Sequence, residues 1–448
     1  MSNLSFYHCK RLGLVSILAF LLAGCVPPET REPAAPINDK PVNSVTNANI
    51  DSRPEANAAP AARVALTLPL LDALLGDDAF VSEAKNSVQL SEQELQKLRD
   101  TARDAVLKLS DDAADDDSRS TKAAAAEAGK YLNEVLGTER SARFTALVDL
   151  YAGGDVSELS PNQVPTDTRV VVNAPAYRMD IFDKGKLVKS YKIGIGYPEF
   201  PLPTGLRKAQ AIIVNPTWTP PDEPWVKGKI EPGRKVEAGS KLNPLGPIKI
   251  PIGSPSLIHG GKSPDRLGTF ASHGCVGLTN SQIEDFASRL AGLAGVQLSL
   301  ADIKMYEKAK TETKEIKLGE TLPVELRYET IVLENGTLKI YRDVYEKGTN
   351  TEENLRRVLE AYDVSLDDLQ PQVRAQLLAG LQQMAMDASG QAVARESSVD
   401  QDQRLDKRST KTSESGRVTK NIKGKKELTF MISQLTGKGY PAPVGMKL

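Results

Sequence analysis

The residues of this chain that can do chemistry are few and crowded. There are three cysteines and three histidines among 448 residues: His8, Cys9 and Cys25 near the start, then His259, His273 and Cys275 within seventeen positions. A thiol with an ordinary pKa near 8.5 is only a few per cent ionised at neutral pH, so a cysteine nucleophile needs a histidine to take or share its proton. Two histidines stand close to this one. Gly274 directly before Cys275 allows unusual backbone geometry and close approach of a substrate to main-chain N–H groups, as an oxyanion site requires. Across proteins a single cysteine in a β domain is more often a small buried apolar residue. Here thiol, histidines, short spacing and flanking glycines coincide, which favours a nucleophile. Three such residues are too few for a ready zinc site, so metal is the weaker reading and no cofactor is expected.

The first residues bear on that argument. Lys10 and Arg11 precede an apolar run, Leu12 to Ala23, of signal-peptide length, and the run ends Leu22-Ala23-Gly24-Cys25. This resembles a bacterial lipoprotein signal, which implies removal of residues 1–24, lipid on Cys25 and attachment to a membrane through that lipid. The expected location is the bacterial envelope, periplasmic. Val26 rather than Asp after the cysteine resembles outer-membrane sorting. Cys275 would then be the one free thiol of the exported chain, with no intrachain disulfide possible. Keeping a lone thiol in an oxidising compartment suggests that its reactivity is used. With 57 basic against 58 acidic residues, the chain cannot hold nucleic acid by phosphate neutralisation, and no nucleic-acid partner is expected. No run after residue 25 approaches the roughly 20 apolar residues that span a bilayer, so the exported part should be soluble.

The elements that must position the thiol follow from periodicity. Residues 25–62, rich in Pro, Ala and Asn, read as a disordered tether. Residues 63–155 read as a small all-α domain of unknown role. In it Ser91 and Glu94 form a capping box before Leu95, Leu98, Ala102, Ala105, Val106 and Leu109. Further helices are predicted over 122–136 and 139–151, with the acidic run 111–117 as a solvated loop. From Thr168 the pattern changes to short alternating runs, predicting a mainly β domain over 168–302 with one or two short helices. Asp183-Lys184-Gly185-Lys186 signals a hairpin, and Asn280 or Ser281 can cap the helix before Ile283, Phe286, Ala287 and Leu290. Residues 296–300 read as a strand. Residues 303–365 form an extension with further strands and a helix over 352–362, and 388–448 a largely disordered polar tail in which 428–435 can make a brief ordered contact.

Ser272-His273-Gly274-Cys275-Val276, with His259-Gly260 some sixteen residues earlier, resembles the signature of the L,D-transpeptidase catalytic domain, a mostly β fold that crosslinks peptidoglycan. Pro203-Thr204-Gly205, the stretch Asn215-Pro216-Thr217-Trp218-Thr219-Pro220-Pro221 and Asn243-Pro244-Leu245-Gly246 support it in order. The resemblance implies that Cys275 attacks the carbonyl of the third residue of a stem tetrapeptide and releases the terminal D-alanine, leaving a thioester. His259 would be base and then acid, its ring oriented by the Gly260 carbonyl. N–H groups around Gly274 and Cys275 would hold the oxyanion, while His273 and Ser272 shape the pocket. An amine of a second stem, or a lysine of a wall-attached lipoprotein, would resolve the thioester.

One position departs from the family, which usually carries Arg two residues after the cysteine where this chain has Gly277. Either another cation, such as Lys262, Arg266 or Lys249, takes over, or substrate preference has shifted, or turnover is lost. Two other functions compete with transfer. The same nucleophile could serve a hydrolase that trims stems or detaches a wall-attached lipoprotein, and a non-catalytic wall-binding protein is the third reading.

Overall fold

Amphipathic helices open the fold. The structure, a computed structural model, describes residues 64–109, 120–155, 159–160, 162–218, 235–386, 390 and 418–446. The signal segment 1–24, Cys25, the tether 25–62 and the acidic run 111–117 lie outside these. All described residues fall in one compact unit, residues 60–448. Five helices come first, α1 Leu68–Leu75, α2 Asp78–Ser87, α3 Glu92–Leu107, α4 Thr121–Leu136 and α5 Thr138–Ala152. They share a core of Leu71, Leu74, Phe80, Leu95, Leu98, Leu132 and Phe144. Ser91 and Glu94 form the expected capping box on α3, and Ser120 caps α4 through the Ala123 N–H. Such caps contribute about 1 kcal/mol each by satisfying N–H groups that the first turn leaves open.

The mainly β part is an eight-stranded sheet. Its strands are β1 Arg169–Asn173, β2 Arg178–Asp183, β3 Lys186–Lys192, β5 Gly205–Val214, β6 Ile248–Pro251, β7 Leu257–His259, β9 Val276–Gly277 and β10 Lys314–Arg327, and the short strands β4 Ile195–Gly196 and β8 Phe270–Ser272 pair beside it. The order across the sheet is β3-β2-β1-β10-β5-β6-β7-β9. Neighbours are antiparallel except β1 with β10 and β7 with β9. The hairpin at 183–186 forms as expected, with Lys184 and Gly185 both at positive φ, the requirement of a tight two-residue turn between twisted strands.

Helix α6, Asn280–Leu293, buries Ile283, Phe286, Ala287, Leu290 and Ala291 against this sheet. Its cap is Thr279, paired with Gln282, one residue earlier than the sequence suggested. Residues 296–300 are not a strand. Ser299 and Asp302 form a second capping box and start α7, Leu300–Lys308, so the apolar alternation there serves a helix entry instead.

A second sheet follows, β11 Ile331–Glu334, β12 Thr337–Tyr341 and β13 Glu427–Met431, packed with α8 Glu352–Glu360 and α9 Pro371–Met384. Its third strand corrects the expectation of a largely disordered tail for the part from 418 onward. Leu428 and Phe430 lie opposite Ile340 and Leu338. Phe430 fits over Gly380 of α9, where a Cβ would fall 2.7 Å from its ring, and Val418 and Ile422 enter the main core. A polar segment is held here by a few apolar residues that answer a distant sheet edge, a pairing with no local signature. Between the two sheets Arg178 pairs with Asp180 and Glu334, and Arg327 with Glu325, all buried and mutually compensated. Among the described residues no helix is long and apolar enough to cross a membrane.

Candidate active site

The chemistry sits on two strands too short to stand alone. β7 and β9 pair in parallel, Ile258 opposite Val276 and His259 opposite Gly277. Side chains alternate along a strand, so Ile258 and Val276 point together into the core, both fully buried. His259 and Gly277 therefore share the other face, and Cys275 stands one residue before β9 with its thiol against the Leu257 backbone. Backbone bonds prolong the match, from Leu278 N–H to the His259 carbonyl at 2.9 Å and from Lys262 N–H to the Leu278 carbonyl at 3.1 Å. Asn280, the first residue of α6, accepts the Gly261 N–H at 2.8 Å and ties the glycines after His259 to that helix.

The Nδ1 atom of His259 lies 2.7 Å from the Gly260 carbonyl oxygen. A carbonyl only accepts, so Nδ1 is the donor in this contact, and the Leu245 backbone also meets the ring. Burial holds the imidazole pKa down to about 3, and the charge of Lys262 acts the same way. The Cys275 thiol is half-buried. Burial pushes its pKa up, partly offset by a backbone contact with Leu257 and by Lys262. Both shifts favour the neutral forms, of the thiol and of the imidazole.

Gly274 has φ +91°, a conformation that L side chains rarely adopt. It bends the chain so that Cys275 enters β9. The Ser256 hydroxyl donates to the Gly274 carbonyl at 2.9 Å. Ser272 closes the same turn twice, its hydroxyl donating to the Cys275 carbonyl at 2.6 Å and accepting the Cys275 N–H at 3.0 Å. The Cys275 N–H is therefore engaged inside the turn at rest, whereas the Gly274 N–H has no acceptor among the described residues. The His273 ring lies edge-on to Tyr197 and Phe200, centroids 5.1 and 4.6 Å away, and burial holds its pKa down to about 3.

Tyr197 and Phe200 belong to the segment 196–200 at the end of β4, which the sequence analysis did not single out. Tyr197 N–H donates to the Ser272 carbonyl at 2.8 Å, and a Cβ on Gly196 would fall 3.1 Å from Gly274 Cα. Four distant segments grip this loop. Thr67, the cap of α1, donates to the Glu199 carbonyl at 2.6 Å, and Thr121 of α4 to the Pro198 carbonyl at 2.9 Å. The Tyr345 hydroxyl donates to the Gly196 carbonyl at 2.7 Å, and the Thr419 hydroxyl to the Glu199 carboxylate at 3.1 Å.

The upstream motifs also serve the scaffold. Asn215 donates its amide to the Tyr306 and Ala309 carbonyls at 2.8 and 3.0 Å, closing α7, and Asn243 donates to the Pro216 carbonyl at 2.8 Å. Residues 219–221 lie outside the described residues. Of the three cations, Arg266 braces the Phe270 carbonyl at 2.6 Å. Lys262 lies across Gly277, where a Cβ would fall 2.8 Å from its Cγ, and Lys249 is the cross-strand partner of His259.

The neutral resting pair has a kinetic consequence. Alkylation of Cys275 by iodoacetamide should keep rising with pH into and beyond the ordinary thiol range, because burial raises the thiol pKa and no imidazolium is present to lower it. A rate that is flat between pH 5 and 8, followed by mass spectrometry of the Cys275 peptide, would contradict this.

Residues 167–323 match the family model of the L,D-transpeptidase catalytic domain. A search of the curated proteins found no match. Among solved structures the chain is similar to an L,D-transpeptidase of Enterococcus faecium, at 16% identity over 36% of this chain and 50% of that one, with a TM-score of 0.23. The isolated catalytic domain from E. faecium matches at 17% identity over 37% and 100%, TM-score 0.24. An L,D-transpeptidase from Mycobacterium smegmatis matches at 16% over 36% and 58%, TM-score 0.22. The chain spans about half the length of the first of these structures. The similarity to the L,D-transpeptidase catalytic domain is thus carried by residues 167–323.

Proposed function

We propose that the protein is a periplasmic, lipid-anchored L,D-transpeptidase that acylates Cys275 with a peptidoglycan tetrapeptide stem and passes the acyl group to an amine. One observation supports the reading: the residues that match the L,D-transpeptidase catalytic domain model hold both His259, its Nδ1 at 2.7 Å from the Gly260 carbonyl, and Cys275, one residue before the strand that pairs with the strand of His259.

The chemistry follows from the protonation states. With the thiol pKa raised and the imidazole pKa lowered, prior transfer of the proton is uphill, so Sγ–C bond formation and proton transfer to His259 Nε2 go together. The carbonyl oxygen gains charge as Sγ adds. The Gly274 N–H can receive it at once, and the Cys275 N–H joins if Ser272 swings away from it. Collapse breaks the C–N bond, and the D-alanine amine leaves with the proton from His259. Throughout, the Gly260 carbonyl accepts from Nδ1 and stabilises the transient imidazolium. An acceptor amine then gives its proton to Nε2 as it attacks the thioester, and the thiol is restored. A stem amine would give a crosslink, and a lysine of a wall-attached lipoprotein would give protein attachment. Water as acceptor would make the same site a hydrolase.

Incubation of the protein with disaccharide tetrapeptide should release D-alanine and form a crosslinked dimer. Cys275→Ala should lower that rate by at least about a thousandfold, because the nucleophile itself is gone. D-alanine loss ending only in tripeptide would replace transfer with hydrolysis, and undiminished turnover by Cys275→Ala would remove the nucleophile. Anchoring rests on Cys25, which lies outside the described residues. Cys25→Ser should move the protein from the membrane to the soluble fraction on cell fractionation, and retention in the membrane would refute the lipid anchor.

A further inference from the structure

The face that carries His259 also carries a row of positive charge. Reading across the sheet at the level of the histidine, Lys249 on β6 stands opposite His259 on β7, which stands opposite Gly277 on β9. Direct cross-strand partners share a face with their Cβ atoms about 5 Å apart. Lys249 and His259 are therefore adjacent, and the neighbours Ile248, Ile250 and Ile258 point the other way into the core. Gly277 offers no side chain at its place in the row. Lys262 fills it, its Cγ, Cδ and Cε lying 2.8, 3.3 and 3.0 Å from where a Cβ would be. The charge of Lys262 reaches His259, His273 and Cys275, lowering the pKa of each. Lys249 is half-buried, and among the described residues it forms no ion pair; the nearest acid along its row, Glu315, is two strands away beyond Ile213. A half-buried ammonium without a counter-ion is costly unless a ligand completes it.

We propose that Lys249 and Lys262 bracket His259 as a carboxylate-binding subsite that receives the free carboxylate of the acyl donor's leaving residue. The carboxylate sits one carbon from the scissile nitrogen, so a donor whose carbonyl is at Sγ sets it within reach of this row. The donor class is thus an acyl amino acid with a free terminal carboxylate, not an amide or ester. This deepens the transpeptidase reading and rests on it for the donor's identity, while the anion site itself is separable.

The test compares two alkylating agents of nearly equal size, iodoacetate and iodoacetamide, on the full chain, with the rate read at the Cys275 peptide by mass spectrometry. Relative to free cysteine, Cys275 should favour the anionic agent by on the order of tenfold at low ionic strength, and added salt should reduce the preference. Lys262→Gln and Lys249→Gln should each cut the preference while leaving the iodoacetamide rate within about threefold, and Lys262→Arg should keep it. A ratio equal to that of free cysteine, or one unchanged in both glutamine variants, would overturn the subsite. In parallel, tetrapeptide should be used at least about tenfold better than its C-terminal amide, and the Lys262→Gln, Lys249→Gln double variant should lose that discrimination. If the alkylation preference holds but tetrapeptide is never turned over, the anion site stands and the transpeptidase reading fails. If tetrapeptide and its amide are turned over equally, the activity stands and the subsite fails.

Discussion

Five residues, Leu257–His259 and Val276–Gly277, pair in parallel at the end of the large sheet, and the site depends on that pairing. Parallel neighbours need a long connection, here 260–275, and that connection holds the turn that presents the thiol. Because the side-chain period is two, a slip of one residue would turn His259 into the core and Ile258 out. The register is held by the apolar pair Ile258 and Val276 below and by the Leu278 and Lys262 backbone bonds above. Function and core packing are thus the same constraint seen from two faces of one ladder. The Gly260 carbonyl beside Nδ1 then favours the tautomer that carries its proton there.

The second constraint lies under the thiol. The loop 196–200 packs Phe200 and Tyr197 on His273 and sets Gly196 against Gly274. Each grip on that loop comes from a different region: the helical part through Thr67 and Thr121, the extension through Tyr345 and the chain end through Thr419. A helical region with no chemical motif of its own therefore holds the loop that packs against the Cys275 turn, through two threonines that bond loop carbonyls. These bonds are buried, where an unmet carbonyl costs about 1–3 kcal/mol, so the helices and the loop reinforce each other's order.

What could be read in the sequence divides along the range of the interactions. Ser91 with Glu94 and the 183–186 hairpin are set by residues a few positions apart, and both stand in the structure as expected. The pairing of the strand of His259 with the strand that follows Cys275 had no signal beyond the scarcity of both residue types. β13 was not legible, since Leu428 and Phe430 have meaning only against Ile340 and Leu338 some ninety residues earlier. The 296–300 segment misled because its apolar alternation satisfies a helix entry as well as a strand. Gly277 showed that a side chain was missing, but only three-dimensional packing shows Lys262 lying in its place. Likewise the engagement of the Cys275 N–H by Ser272 is a matter of turn geometry that spacing alone does not carry.

The account turns on the protonation of one ring. Nitrogen-15 NMR of His259 in the resting protein, assigned against a His259→Gln variant, measures it directly. The account predicts a neutral imidazole with the proton on Nδ1 that persists from neutral pH down toward about 3, unchanged in Cys275→Ala. An imidazolium at pH 6 to 7 that disappears in Cys275→Ala would establish a thiolate–imidazolium pair and contradict it.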